Sequence, residues 1–305
     1  MNIFSFGVHF TDEKSCRLHF KEQRDKQGVV CKRCGAREHY WLINKWSYQC
    51  KSCNSRTSLR SGTIMESSKL SFMIWYKTIF LLSTTKKGFS SKEIQRQLGL
   101  KRYEPVWAMV HKLRKAMGER DDRYTLEGMI EMDEGYFTIQ ASEQTHKTQK
   151  AGRGSKTKSN VMIMAESTIL EDLETGKVDR QCRYFKAKVL QDHKADGTDQ
   201  SLTGSIDDEQ TIVFTDKSTS YVNIADYVEI HMTEKSNEQT NKETLKWVHI
   251  AISNAKRNFV GTYHKIKKKY LQLYLNEFVY KLNRRYFGER IFDRLIIDRI
   301  TANEH

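Results

Sequence analysis

Proline is almost missing from this chain: Pro105 is the only one in 305 residues. Pro-rich spacers are therefore excluded, and domain boundaries must be sought in changes of pattern. No run of about 18 apolar residues occurs, which excludes a membrane-spanning helix. The opening Met1-Asn2-Ile3-Phe4-Ser5-Phe6-Gly7 lacks the basic start and long apolar core of a signal peptide, so a cytoplasmic protein is expected. Nothing repeats at a spacing of roughly 20–50 residues, so a solenoid is excluded. Acidic residues are in deficit, 38 Asp and Glu against 52 Lys and Arg, for a net charge of +14. Such a balance points to an acidic partner. Nucleic acid fits best, because a cationic surface gains affinity by releasing phosphate counterions.

Cysteine is scarce but concentrated. Four of the six form two C-x-x-C pairs, Cys31 with Cys34 and Cys50 with Cys53, separated by 15 residues. Cytosolic thiols stay reduced, so clustered cysteines read as metal ligands rather than disulfides. Each pair makes a tight knuckle presenting two sulfurs, and two knuckles close a tetrahedron around one structural zinc with no open position for chemistry. Gly35 eases the first knuckle. Residues 39–43 and 45–49 read as two short strands joined near Asn44, which completes a zinc ribbon. Its basic residues and interleaved Tyr40, Trp41, Trp46 and Tyr48 suit either a grip on DNA backbone or a small core. Cys16 and Cys182 have no partner by spacing and read as core residues.

Beyond the ribbon, residues 71–82 form a strongly apolar helix. Ser90 with Glu93 three residues on gives a helix start, Ile94 and Leu98 an apolar stripe, and Gly99 a stop. A third helix is predicted over 104–117 with Val106, Val110, Leu113 and Met117 buried. Together these read as a helix-turn-helix. Lys101, Arg102, His111, Lys112, Arg114 and Lys115 are expected on its solvent face, within reach of DNA.

From about residue 127 the pattern changes to strands, predicted at 128–137, 160–166, 183–189, 211–215 and 227–231. One helix fits between the third and fourth strands, and another is predicted over 242–260. That order is the order of an RNase H-like fold, an α/β architecture in which the first and fourth strands are central neighbours. Asp133 and Asp216, each in or just after an apolar run, would then meet. Paired carboxylates on rigid strands suit a pair of Mg²⁺ or Mn²⁺ ions and phosphoryl transfer. Glu131 lies on the same strand face as Asp133 and is expected to be a fourth acid or a supporting group; Glu134 faces the other way. The basic, Gly-containing segment 149–158, with Arg153 and Lys156, reads as a phosphate-holding hairpin loop.

The blocks Gly28-Val29-Val30-Cys31-Lys32-Arg33-Cys34-Gly35, Tyr48-Gln49-Cys50-Lys51-Ser52-Cys53 and Thr57 to Thr63 are joined by Glu131-Met132-Asp133-Glu134 and Thr215-Asp216. Lys256 to His264, Tyr274 to Phe278 and Asn283-Arg284-Arg285 follow. In this order the chain resembles the zinc-ribbon DDE transposases of bacterial insertion sequences, the family numbered fifteen ninety-five. The resemblance implies cut-and-join chemistry at the ends of a mobile element. It also implies double-stranded DNA partners (terminal inverted repeats and target DNA), a homodimer or higher assembly, no membrane, and a cytoplasmic, nucleoid-associated bacterial setting. The implied division is a zinc-ribbon domain over 1–65, a helical DNA-binding segment over 66–122 and a catalytic domain over 123–305 with basic C-terminal helices. Many DDE enzymes carry Glu seven residues before a basic residue on the last core helix. Counting back from Lys256 gives His249, not an acid, so His249 is favoured as third metal ligand with Asn254 as the alternative. Lys256 would hold a phosphate, and Arg257, Arg284 and Arg285 would contact DNA. Two other readings stay open, a catalytically inactive DNA-binding regulator and a stand-alone nuclease of the same fold.

Overall fold

The computed structural model describes residues 1–140, 157–171, 176, 178–190, 204–217, 221, 223–235, 237, 243–263, 266–288 and 290–296. The chain divides into two compact units: Met1–Arg120 with Arg284–His305, and Asp121–Asn283. The expected third domain ran to residue 305. The described residues from Arg284 onward group instead with the first unit.

In the first unit, two helices precede the ribbon that the apolar pattern left unassigned, α1 (Ile3–His9) and α2 (Glu13–Gln27). Asp12 and Ser15 form a reciprocal capping box at the start of α2. The ribbon has three antiparallel strands, β1 (His39–Leu42), β2 (Ser47–Cys50) and β3 (Arg56–Ser58), one more than expected. A short 3₁₀ turn and Trp46 in the left-handed region join β1 to β2. Arg24 of α2, fully buried, donates to the Leu59 carbonyl at 2.7 Å and lies over the Tyr48 ring, so the ribbon is packed against α2. Tyr48 donates to Asp25 at 2.8 Å.

The helical part comprises α3 (Phe72–Thr84), α4 (Ser91–Gln97) and α5 (Glu104–Asp121). Ser90 accepts from the Glu93 amide, as the sequence suggested, and Gly99 ends the turn at φ +62°. The Gln95 side-chain amide donates to the carbonyls of Leu100 and Lys101, which locks the turn. Helix α8 (Arg290–Leu295) packs on α3, with Phe292 against Phe6, Phe10, Tyr76 and Phe80. Two expectations for α5 are overturned. His111 and Arg114 are buried, not on the solvent face, because α5 is wrapped on more than one side and buries a stripe wider than its apolar period. Arg284 is likewise buried rather than facing DNA.

The second unit is built on a mixed five-stranded sheet. Its strands are β4 (Leu126–Thr138), β5 (Lys158–Glu171), β6 (Val178–Val189), β7 (Ile206–Asp216) and β8 (Ile230–Glu234), in the order β6-β5-β4-β7-β8. The first three are antiparallel neighbours; β7 and β8 run parallel to β4. The first and fourth strands are thus central neighbours, as expected. Gly128, at φ +72°, sits at the register shift between β4 and β7. The edge strand β8 begins three residues later than the predicted 227. It is mostly exposed, so no alternation of burial marks it, and pairing to β7 sets its place. The helix expected between β6 and β7 falls outside the described residues.

Helices α6 (Lys246–Thr262) and α7 (Leu271–Asn283) cover one face of this sheet. Val248, Ala251, Ile252, Ala255 and Phe259 of α6, with Leu271, Leu275 and Val279 of α7, pack on Ile163, Ala165, Phe185 and Ala187. The other face carries Ile130, Met132, Met162, Met164 and Val213. Two side-chain amides of α7 satisfy the open edge of β6. Gln272 accepts from the Val189 amide and donates to the Ala187 carbonyl, and Asn283 does the same for the Phe185 amide and carbonyl, at 2.8–3.0 Å. Both act as stand-ins for a sixth strand.

His111 stacks on Trp107 with ring centroids 3.9 Å apart, and burial, with the Arg114 guanidinium, pushes it from 6.5 down to about 4. As the pH falls through this range the unfolded chain binds the proton first, so stability is expected to drop between about pH 6.5 and pH 4, by on the order of 3 kcal/mol. Urea titrations followed by tryptophan fluorescence at pH 7 and pH 4.5 check this: His111→Gln should flatten the difference between the two pH values.

Candidate functional site

The cysteine quartet is assembled by two knuckles of the same design. Gly35 N–H donates to the Cys31 carbonyl at 2.8 Å and Asn54 N–H to that of Cys50 at 3.0 Å. Cys31 N–H donates to Ala36 and Cys50 N–H to Ser55, both at 2.9 Å. Gly35 and Asn54 are left-handed at φ +74° and +58°, so each pair turns back on itself at the same point. The four sulfurs lie within 4.8 Å of one another, with Cys31 to Cys53 at 3.6 Å and Cys34 to Cys50 at 3.5 Å. Four thiolates about 2.3 Å from a central zinc stand about 3.8 Å apart, so this cluster could hold one zinc. The Ser55 hydroxyl and the amides of Cys34 and Arg33 hold the Cys31 thiol well down, at about 5, which favours the thiolate.

The second cluster is built on β4 and α6. Successive side chains of β4 alternate between faces, and Glu131, Asp133, Gly135 and Phe137 share the face turned to α6. Asp133 is held 3.7 Å from His249, measured from Oδ2 to Nδ1. That is contact distance but too long for a hydrogen bond. Its Oδ1 accepts from the Glu134 amide at 2.7 Å. Burial drives the Asp133 carboxyl up to about 7, with the Asp216 and Glu134 carboxylates adding to the rise and the Glu134 amide and Lys256 opposing it. Asp216 ends β7, beside the stretch where Glu131 pairs with Phe214.

His249 is held low by burial, against the pull of Asp216 and with the help of Lys256, which favours the neutral imidazole, the form that ligates metals. Its Nε2 is buried with no hydrogen-bond partner among the described residues. Two carboxylates and an imidazole with an orphaned nitrogen are donor types suited to a divalent cation, although among the described residues only the cysteine quartet gathers its ligand atoms within 4.8 Å. Asn254, the alternative, has its side-chain oxygen held by Arg257 at 2.7 Å. Asp133, Asp216, His249 and Lys256 therefore act on one another, while Asn254 is engaged with a neighbour one turn along the helix.

The capping contacts of Glu131, the partner of Glu134 and the burial of Tyr221 were not visible in the sequence. Glu131 is fully buried, and its Oε2 accepts from the amides of Trp247 at 2.7 Å and Val248 at 3.2 Å. Asn160 donates to Glu134 from the adjacent strand. Tyr221 is buried with its hydroxyl unpartnered among the described residues; burial, then Glu134, Asp133 and Asp216, pushes its phenol far up. Its only signal was position, a lone aromatic after the polar Lys217-Ser218-Thr219-Ser220.

Of the residues expected to meet DNA, Lys101, Arg102, Lys112 and Arg257 are exposed. Lys112 donates to the Glu66 carbonyl at 2.9 Å, and Arg285 lies over the Tyr286 ring. Arg153 and Lys156 lie outside the described residues. Among the described residues no helix is long and apolar enough to cross a membrane.

A family model described as ISXO2-like transposase domain matches residues 125–283, just over half of the chain. No curated protein matches. Two solved structures are similar to the chain. One is described as a Mos1 transposase paired-end complex with left transposon end, at 10% identity and TM-score 0.24, covering 75% of this chain and 80% of that one. The other is a pre-cleavage Mos1 transpososome, at 9% identity and TM-score 0.23, covering 75% and 79%.

Gly135 is where α6 comes closest to β4. A Cβ there would stand 3.0 Å from the Phe137 ring and 3.3 Å from Ile252. Gly135→Ala is expected to destabilise the chain by about 1–3 kcal/mol through overpacking, read as a lower urea midpoint. At the first cluster, one zinc per chain is expected by elemental analysis of protein purified without added chelator, and Cys34→Ser with Cys53→Ser should abolish it.

Proposed function

Because this chain belongs to the ISXO2-like transposase family, we propose that it cuts DNA at the ends of an insertion sequence and joins them to target DNA by metal-dependent phosphoryl transfer. The observation that carries this reading is the meeting of Asp133 with His249 at 3.7 Å while Asp216, ending the neighbouring parallel strand, acts electrostatically on both. The strand order and directions of the second unit support an RNase H-like catalytic domain. The three-helix arrangement of the first unit, with its exposed Lys101, Arg102 and Lys112, supports a helix-turn-helix that engages DNA. The cysteine quartet supports a ribbon held by one structural zinc.

In this reading Asp133, Asp216 and His249 hold a pair of Mg²⁺ or Mn²⁺ ions, with Asn254 the alternative third ligand. Bound divalent cations supply charge that activates the attacking oxygen and stabilises the leaving one. In the first step water attacks phosphorus, the bond from phosphorus to the 3′ oxygen breaks, and that oxygen leaves as a 3′-OH. In the second step the 3′-OH attacks a target phosphodiester and displaces its 3′ oxygen. The chain's own residues position and neutralise. Lys256 offers its ammonium to the scissile phosphate, and the short, capped approach of α6 to β4 keeps His249 on the carboxylates. Basic side chains on both units, among them Arg257 and Arg285, track the backbone of the duplex. Since two ends must be brought together, the active form is a dimer or a higher assembly on DNA, and such a protein works in the cytoplasm at the nucleoid.

The want of an acid at position 249 favours a second reading, a regulator that binds element ends without cutting them. Strand transfer by the purified chain on a labelled element end decides between the two. Joined product is expected with the wild type and none with Asp133→Asn. Because imidazole suits Mn²⁺ better than Mg²⁺, the rate should be higher in Mn²⁺. Equal rates in the two metals at saturation would remove His249 from the ligand set. Specific end binding with no product in either metal would establish the regulator.

A further inference from the structure

Helix α6 begins without a cap of its own. The residue before it, Leu245, makes no side-chain cap, and no acid lies in the first turn. The exposed start of a helix leaves amides unsatisfied and carries a partial positive charge. Here both needs are met from another element. Glu131 of β4, with no exposed surface, accepts from the amides of Trp247 and Val248 through one oxygen. His249 is the next residue along the helix, and Asp133 is the next residue on that face of the strand. The cap and the contact at 3.7 Å between His249 and Asp133 are therefore consecutive rungs between the same two elements. A shift of α6 along its axis, or a rotation about it, would break both.

We propose that Glu131 is a positioning residue: by capping α6 it sets His249 against Asp133, and it is not itself a metal ligand. This rests on the reading of Asp133, Asp216 and His249 as the metal-binding site. A charged acceptor is well suited to the role, because a carboxylate at a helix start gains from the charge there as well as from the two hydrogen bonds. Its length matters too, since the side chain must reach from the strand to the helix start, which Asp would leave one methylene short.

The test uses the full chain with Glu131→Ala, Glu131→Gln and Asp133→Asn. The first readout is hydrogen exchange at the amides of residues 247 and 248, without metal or DNA. Glu131→Ala should speed exchange there by about tenfold or more while β4 and β5 stay protected. Glu131→Gln keeps a carbonyl acceptor and should restore most of the protection. The second readout is single-turnover cleavage of an element end beside end binding by gel shift. Glu131→Ala should slow cleavage by about tenfold or more with binding held within about twofold, and Glu131→Gln should recover to within about fivefold of wild type.

Unchanged exchange in Glu131→Ala would overturn the proposal. So would a Glu131→Gln chain that keeps its amide protection yet is as inactive as Asp133→Asn, since the carboxylate would then be a fourth metal ligand. Should Glu131→Ala fail to fold, the exchange and cleavage of Glu131→Gln decide alone. No cleavage by the wild type in Mn²⁺ or Mg²⁺ would sink the transposase reading, and the exchange measurement would still judge the cap.

Discussion

The second unit depends on one strand face laid along one helix. On β4 the face toward α6 presents Glu131, Asp133, Gly135 and Phe137. On α6 these meet, in the same order, the amides of Trp247 and Val248, the His249 ring, Ile252, and Phe259 with Lys256 nearby. The match has a geometric cause. Two residues of strand advance about 6.6 Å, and one turn of helix advances about 5.4 Å. From Glu131 to Phe137 the strand climbs about 20 Å, and from Trp247 to Phe259 the helix climbs about 18 Å, so the two stay nearly in step over the whole contact. Each rung has a different chemistry: a cap, a polar contact, a close approach through glycine, and an aromatic contact. The cap and the glycine tie the helix down on either side of His249.

The sequence was most legible where the signal was local. The cysteine knuckles each need only six consecutive residues, and Cys31 to Ala36 and Cys50 to Ser55 fold by the same hydrogen bonds. Ser90 capping Glu93 is equally local. Asp133 and Asp216 were legible because burial of the flanking residues marks a strand, and the order of elements makes their strands neighbours. Legibility failed where the deciding partner is remote in the chain. The start of α6 has no local mark, since its cap comes from Glu131, more than a hundred residues earlier. The edge strand β8 takes its place from β7, not from its own pattern. His111 and Arg114 looked like solvent-facing residues because polarity was read as exposure, yet both are buried. The role of Gln272 and Asn283 at the edge of β6 exists only once α7 lies alongside it.

The charge at the site also explains why residues with opposite tendencies are placed together. Burial raises the affinity of Asp133 for a proton, and the neighbouring carboxylates of Asp216 and Glu134 add to that rise. Folding such a group without a counter-charge is costly, because desolvated carboxylates lose their hydration and gain repulsion. Lys256 opposes this from α6, but one exposed ammonium does not balance three carboxylates. The positive end of α6 is not available either: Glu131 has taken it. The site is thus short of positive charge, and a bound cation would relieve burial and repulsion together.

That shortage bears on how DNA reaches the site in the proposed reading. A phosphodiester adds a further negative charge to a place already rich in carboxylates, so the site on its own repels its substrate. Two things offset the repulsion. Divalent cations at Asp133, Asp216 and His249 would reverse the local sign, and the excess of Lys and Arg elsewhere, +14 in all, would draw the duplex through contacts remote from the scissile bond. Affinity then resides in the basic surface and chemistry in the acidic site, and the two are separable. A neutral imidazole at position 249 fits this division. It adds a ligand without adding a fourth negative charge, whereas a glutamate there would deepen the repulsion that the cations must overcome.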